Sequence, residues 1–357
     1  MDPAPGGAVK ARPAPRLLTA LAGGVPGATP VWFMRQAGRY QPAYRALRIR
    51  HGMLEIANTP SLAAKVTVAP VEDLGVDAAI LFSDIMVPVG PAGVDFEIRE
   101  GVGPVVAHPI RDAAGVARLR EVEPARDLPQ VLEAVERSVA ALAGVPLIGF
   151  AGAPFTLASY LVEGRPSRQY LETKRLMWAA PSVWDALMQH LSRIVGAHLA
   201  AQVGAGASVL QVFDSWAGAL SREDFARYVA PHMQALFRQL ALLGVPVIYF
   251  AVGAGHLVEA MAATGPTALS VDWREPLGAV RRRLPPGMPL QGNLDPVALL
   301  TPWPTLEGQA RSVLREGGRR GFVFNLGHGI LPATDPDIVR RLVRWIHDEA
   351  GERPTHD

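Results

Sequence analysis

A single (β/α)8 barrel, an α/β TIM barrel, is the fold predicted by this sequence, on two observations. Eight short apolar runs succeed one another at helix-sized spacings, and most of them stop on one polar residue. Runs of four to eight residues rich in Val, Ile and Phe, separated by helical stretches, are the pattern of buried parallel strands. In such a barrel the strand C-termini ring one catalytic mouth, so chemistry is expected at the residue that closes each run. The first run, 30–34, leads into Arg35; the second, 78–83, into Asp84; the third, 147–151, into Gly152; the fourth, 209–213, into Asp214 and Ser215. The fifth, 247–252, is followed by Gly253, the sixth, 269–271, by Asp272, the seventh, 289–292, by Asn293, and the eighth, 322–324, by Asn325 and His328.

The spacers support the same architecture. After an irregular stretch over 35–45, a helix is expected over 46–56. Another is expected over 61–75, with Thr59 or Ser61 as N-cap and Gly75 at its end. Alternation over 94–110, around Gly101 and Gly103, predicts a β-hairpin decorating the barrel. Helices are expected over 128–142, 182–204, 224–244, 257–265, 278–284 and 304–317, with 335–350 closing the ring. The long spacers between the second and fourth runs predict extra helices over one side of the mouth. Residues 1–16 are Pro/Gly/Ala-rich without the apolar core of a signal peptide and read as a flexible tail. Residues 17–352 read as one catalytic domain without a linker, and 353–357 as a loose C-terminus.

At 49% hydrophobic and 19% charged residues the chain can bury a large core. It has no eighteen-residue apolar run, so no membrane span is expected. A net charge of +2 gives no argument for nucleic acid. The absence of cysteine excludes disulfides, thiolate nucleophiles and zinc–thiolate sites, and a cytoplasmic setting is the default. Of 35 basic residues only Lys10, Lys65 and Lys174 are lysines, a bias that a GC-rich genome explains; function must be argued from individual arginines.

The densest constellation is Met34-Arg35-Gln36-Ala37-Gly38-Arg39-Tyr40, with Arg45 and Arg48 behind it. Two guanidinium forks four residues apart, just past a strand end, can clamp carboxylates or phosphates; surface pairing with helix carboxylates is the bland alternative. Asp84 is framed by Phe82, Ile85 and Met86. Burial would raise its pKa and facing cations would lower it, and a helix N-cap is the competing role. The stretch 149–156 is rich in small residues that admit close approach of a ligand, and Tyr160 follows on the expected next helix. Ser215 has no His/Asp partner in sight and reads as a hydrogen-bonding residue rather than a nucleophile. His328, between glycines, reads as functional. Gly253-Ala254-Gly255 lacks a dinucleotide fingerprint, His190 and His198 lack metal spacing, and Lys65 and Lys174 fall on helices. A mouth of arginines, one Asp, one Tyr and one His points to cofactor-free acid/base chemistry on a polyanion.

Residues 31–42 resemble the first signature of the uroporphyrinogen decarboxylase family, and 149–164 (GFAGAPFTLASYLVEG) resembles its second. Further matches are Ile80-Leu81-Phe82-Ser83-Asp84, Leu210-Gln211-Val212-Phe213-Asp214-Ser215, Leu290-Gln291-Gly292-Asn293-Leu294-Asp295-Pro296 and Asn325-Leu326-Gly327-His328-Gly329. The resemblance spans nearly all of Leu17 to the C-terminal helix. It implies a homodimeric barrel, without metal or organic cofactor, that converts the four acetates of uroporphyrinogen to methyls in haem and related tetrapyrrole synthesis. It places the family's substrate-facing arginines on Arg35 and Arg39, its central aspartate on Asp84, and its tyrosine, serine and histidine on Tyr160, Ser215 and His328. Arg48, Phe150 and Phe213 complete the expected substrate-binding set. Asp84, Arg35, Tyr160 and His328 form the expected catalytic set, with Asp84 stabilising a cationic pyrrole and Arg35 one candidate acid. One departure is Val252, where relatives often carry a lysine.

Two rival functions belong to other classes. A methyltransferase of the same superfamily would hold zinc through cysteine and histidine, and the chain has no cysteine. A tetrapyrrole-binding protein without activity would need the arginines more than a buried carboxylate.

Overall fold

The computed structural model describes residues 14–99 and 101–352. Seven strands form one parallel sheet: β1 (Ala79–Ile80), β4 (Leu147–Gly152), β5 (Val209–Asp214), β6 (Val247–Ala251), β7 (Ala268–Ser270), β8 (Leu290–Leu294) and β9 (Phe322–Leu326), paired in that order. Between β1 and β4 the expected hairpin is present as β2 (Phe96–Arg99) and β3 (Gly103–Val106), antiparallel, with Phe96 opposite Val106. Every residue of β4, β6, β8 and β9 is buried, as expected of strands covered on both faces, and β8 and β9 carry Gln291, Asn293 and Asn325 into that interior. The tail and the C-terminus over 353–357 lie outside the described residues except for 14–16, and the first helix starts at Arg16.

The expected first strand, 30–34, is reduced to one parallel bridge, Val31 with Phe324. Its other amides are taken by side chains. Phe33 N–H donates to Gln36 Oε1 at 3.0 Å and Met34 N–H to Asn325 Oδ1 at 3.1 Å, while Pro30 has no N–H to give. The segment is nevertheless tied on both sides: Phe324 N–H donates to Pro30 O at 2.9 Å, and Asp77 N–H to Val31 O at 2.8 Å. The second strand is also shorter than expected, because Phe82 N–H turns to Thr67 Oγ1 at 2.9 Å.

Helices cover the sheet, and proline sets many of their starts: Pro42–Arg48, Pro60–Leu74, Pro129–Ala141, Pro154–Glu163 and Pro181–Gly204 all begin on a residue whose missing N–H costs nothing there. Thr59 holds the N-cap position of Pro60–Leu74 without capping it, its hydroxyl donating instead to Glu55 O at 2.8 Å, and Gly75 closes the helix at φ 72°. Two expected helices are broken. The one over 46–56 becomes Pro42–Arg48 and Met53–Asn58, because extended Gly52 restarts the chain and donates its N–H to Glu55 Oε2 at 3.1 Å. The one over 224–244 becomes Arg222–Tyr228 and Ala230–Ala241, where Pro231 cannot continue the hydrogen-bond ladder.

Polar groups lie among the apolar layers inside the sheet. Fully buried Trp32 donates its indole N–H to Gln291 Oε1 at 2.9 Å, and Gln291 Nε2 donates to Ser270 Oγ at 3.0 Å. One amide of β8 thereby holds the 30–34 segment and β7 from within. Replacing Gln291 by Leu strands two buried partners, and we expect a loss of about 2–3 kcal/mol in urea unfolding; a loss below about 0.5 kcal/mol would show that this amide does not hold the segment.

Candidate active site

The turn after the first tied segment aims Arg35. Its backbone is left-handed at φ 58°, unusual for a side chain of this size. Gln36 fixes that turn through the Phe33 N–H and by donating Nε2 to Ala78 O at 3.0 Å; Tyr40 Oη donates to Gln36 O at 2.7 Å. The aliphatic stem of Arg35 then lies over Gly329, where any Cβ would come within 2.3 Å of Cδ. Arg35 therefore runs across the glycine that follows His328. It is open to solvent in a recess whose walls, together with the charge of Arg39, lower its pKa.

Asp84 stands four residues past the end of β1, with Arg35 as the cation acting on it. Its Oδ1 accepts Met86 N–H at 2.9 Å in the turn that leads to a short helical turn at Val87–Val89, whose N-cap position is Met86, so Asp84 is not that helix's N-cap. Burial raises the carboxyl above its ordinary value, with the Met86 N–H and Arg35 pulling against it. Tyr160, on Pro154–Glu163, packs its ring on Trp216 with centroids 3.9 Å apart, and Trp216 meets Tyr170 at 5.1 Å. Burial, then Asp84, raises the Tyr160 phenol.

His328 follows β9 and is half-buried. Burial, then the charge of Arg35, lowers it to about 4, so it is a neutral imidazole at pH 7. Arg35, Arg39, Asp84, Tyr160 and His328 are thus close enough to bias one another's ionisation. Ser215 lies half-buried directly after β5. Phe150 and Phe213 meet edge to face at 5.6 Å, and Phe213 meets Phe250 at 6.0 Å, giving β4, β5 and β6 one continuous aromatic surface. Arg48 sits apart on Pro42–Arg48, donating Nη1 to His51 O at 3.1 Å, while Arg45 holds the loop by donating to Arg39 O and Tyr40 O.

Two strand-closing carboxylates that the sequence reading named without a role, Asp214 and Asp272, prove to be held by partners it did not foresee. Asp214, fully buried at the end of β5, accepts Thr156 Oγ1–H and Tyr249 Oη–H, both at 2.7 Å. Thr156 Oγ1 in turn accepts Trp216 N–H at 3.3 Å, so the network underlies the ring on which Tyr160 rests. Burial pushes the Asp214 carboxyl up to about 6 against both hydroxyls. The available signal was Tyr249 inside the apolar run of β6, since a buried phenol demands a partner. The second group is Asp272 with Arg274, past β7. Among the described residues no cluster of three or more His, Cys, Asp or Glu side chains is arranged to hold a metal ion.

The family model described as uroporphyrinogen decarboxylase (URO-D) matches residues 12–349. The chain is 52% identical over 321 residues to the uroporphyrinogen decarboxylase of Salinispora tropica, covering 90% of this chain and 86% of that one. It is 52% identical over 324 residues to that of Thermobifida fusca, covering 90% of each. Among solved structures, a methyltransferase from Methanosarcina mazei aligns at TM-score 0.75 and 22% identity over 94% of this chain and 97% of that one. At that identity the likeness concerns the fold alone.

Two outcomes follow from this geometry. A Gly329→Ala variant must push the Arg35 stem aside, and we expect kcat/KM to fall about 10- to 100-fold with the unfolding midpoint nearly unchanged. An unaltered kcat/KM would mean that Arg35 does not depend on this contact. NMR titration of the His328 ring should give a pKa near 4, and a value near 6.5 would overturn the account of its environment. Because the folded value lies below the ordinary one, the unfolded chain binds more protons between about 4 and 6.5. The group's contribution to stability therefore grows as pH rises through that window and is complete above it.

Proposed function

The chain belongs to the uroporphyrinogen decarboxylase family, and we propose that it removes CO2 from the four acetate side chains of uroporphyrinogen III to give coproporphyrinogen III. The observation that carries the reading is Asp84: a carboxylate kept in a recess beside Arg35 and Tyr160, which binding of a polyanion alone does not require.

Loss of CO2 from an acetate leaves an electron pair on the exocyclic carbon, and the pyrrole can accept it. A proton added to the ring carbon beside the acetate-bearing one makes the pyrrole cationic. The C–C bond to the carboxylate then breaks, and its electrons neutralise that cation. A second proton converts the resulting exocyclic methylene to a methyl, and loss of the ring proton restores aromaticity. Asp84 accepts hydrogen bonds from pyrrole N–H groups and stabilises the cation, an effect of about 3–4 kcal/mol in a preorganised site. Arg35 and Arg39 receive substrate carboxylates as bidentate clamps. Neutral His328 and the Tyr160 phenol donate hydrogen bonds and place the ring; Ser215, Phe150 and Phe213 complete the contact surface. A guanidinium is a very weak acid, so Arg35 serves first as a carboxylate clamp and is one candidate for the acid at the ring carbon.

The reading needs no metal or organic cofactor, because the substrate supplies its own electron sink. A zinc-dependent methyl transfer would need thiolates this chain lacks. The hydrogen bonds of Pro30 and Val31 to Phe324 and Asp77 support a complete eight-stave barrel with 30–34 as its first stave. No helix among the described residues is long and apolar enough to cross a membrane; a cytoplasmic homodimer is what the family resemblance implies.

Anaerobic incubation of the metal-stripped protein with uroporphyrinogen III, followed by oxidation and separation by carboxyl number, should give a ladder from eight carboxylates to four. Recovery of only the eight-carboxylate species, tightly bound, would leave a binding protein instead. In the same assay Asp84→Asn should lower kcat about 100- to 1,000-fold; near-normal turnover would remove Asp84 from the mechanism.

A further inference from the structure

Arg274 lies on a different sector of the mouth from Arg35 and Arg39. It follows β7, which β8 and β9 separate from the 30–34 segment in the sheet order. Its side chain is half exposed, at 51%, yet it is held at three points. Its backbone N–H donates to Asp272 Oδ1 at 3.1 Å, its guanidinium Nη1 donates to Asp272 Oδ2, and its fork stacks over the Trp273 ring at 4.2 Å. Asp272 is itself buried and fixed by the Gly253 N–H at the end of β6. A long, flexible cation is thereby anchored through one nitrogen, while the fork keeps four further N–H donors.

The same arginine lies near His328. Its charge acts on His328, as that of Arg35 does, so the imidazole lies within the field of both guanidinium groups. The loop carrying His328 touches the loop of Arg274 directly: a Cβ on Gly327 would come within 2.4 Å of the Trp273 nitrogen. Val252, beside Gly253, brings no charge of its own to this sector. A tetrapyrrole carries carboxylates around its whole rim, and Arg35 and Arg39 can meet them only from the segment on which both lie.

We propose that Arg274 is a further substrate ligand, a guanidinium prepositioned by Asp272 and Trp273 to receive a peripheral carboxylate on the side of the ring away from Arg39. The proposal rests on the decarboxylase reading for the identity of the ligand, and Asp272 is a positioning residue in it.

The test uses the full chain and two readouts: KM and kcat with uroporphyrinogen III, and fluorescence-monitored binding of oxidised uroporphyrin I, which needs no turnover. Arg274→Met should raise KM and weaken uroporphyrin binding about tenfold, equivalent to about 1.4 kcal/mol, with kcat changed less than about twofold. Arg274→Lys, which keeps Asp272 paired but loses the fork, should fall between the two. The Arg274→Met/Asp272→Asn double variant removes the counter-charge problem and should stay weak. Unchanged KM and binding in Arg274→Met would overturn the proposal. So would recovery of KM in the double variant, because Arg274 would then only neutralise Asp272. A parent chain that binds uroporphyrin but releases no CO2 refutes the enzymatic reading, and the binding arm still decides the role of Arg274.

Discussion

Asp77 is the junction on which the mouth depends. Its carboxylate accepts Val31 N–H at 2.8 Å while its own N–H donates to Val31 O, and its Oδ2 also lies 2.7 Å from His347 Nε2. Arg16, at the start of the first helix, reaches its Oδ1 at 3.2 Å. One residue before β1 therefore joins the first helix, the 30–34 segment and the C-terminal helix Pro336–Glu352. The placement of Arg35 follows from this joint. Four residues beyond Val31, its turn is fixed by Gln36 against Ala78 on one side and by Asn325 holding the Met34 amide on the other. A side chain that must present a charge with sub-ångström accuracy thus hangs from backbone hydrogen bonds rather than from a free loop.

The apolar periodicity made the strands legible because a doubly covered parallel sheet leaves continuous Val, Ile and Phe runs that no surface element could tolerate. The hairpin was legible for the converse reason, an alternation broken by Gly101 and Gly103. The first strand misled because its composition is that of a strand while Gln36 and Asn325 capture its amides, and such captures join residues up to 291 positions apart. The rule that a strand-closing polar residue marks chemistry also divides once partners are visible. Asp84 faces the recess, whereas Asn325 holds the Met34 amide and Asn293 donates to the carbonyls of Asp272 and Glu275. Asp214 looked like a site residue of equal standing, yet both its oxygens are occupied by hydroxyls from neighbouring elements. Sequence spacing locates the strand ends but does not say which way the last side chain points, or what is already bonded to it.

The charge arrangement of the mouth explains why these residues suit a polyanion. Arg39 lowers the pKa of Arg35, so these two neighbouring guanidinium groups repel one another. A substrate carboxylate relieves that repulsion as it forms its own charge-assisted hydrogen bonds, each worth about 1.5–3 kcal/mol net. The neutral His328 follows from burial first and the charge of Arg35 second, with Asp272 pulling the other way and Arg274 adding a smaller push in the same direction as Arg35. Its hydrogen-bonding capacity, not its charge, is what the site retains.

That field also bears on the direction of turnover. Each decarboxylation replaces a carboxylate by a methyl, so a guanidinium that held the reacting acetate loses its partner and the repulsion among the cations returns. The intermediate is then held less firmly in that orientation, while its remaining acetates still offer charge to the same arginines. On the reading proposed above, rotation or release followed by rebinding brings the next acetate over Asp84, and the proposed N–H-accepting role is indifferent to which pyrrole is above it. The four-carboxylate product has no acetate left to satisfy the cations nearest Asp84. On the proposed reading, product release and the sequential loss of four CO2 molecules rest on one electrostatic feature, the repulsion between Arg35 and Arg39 that a bound acetate relieves.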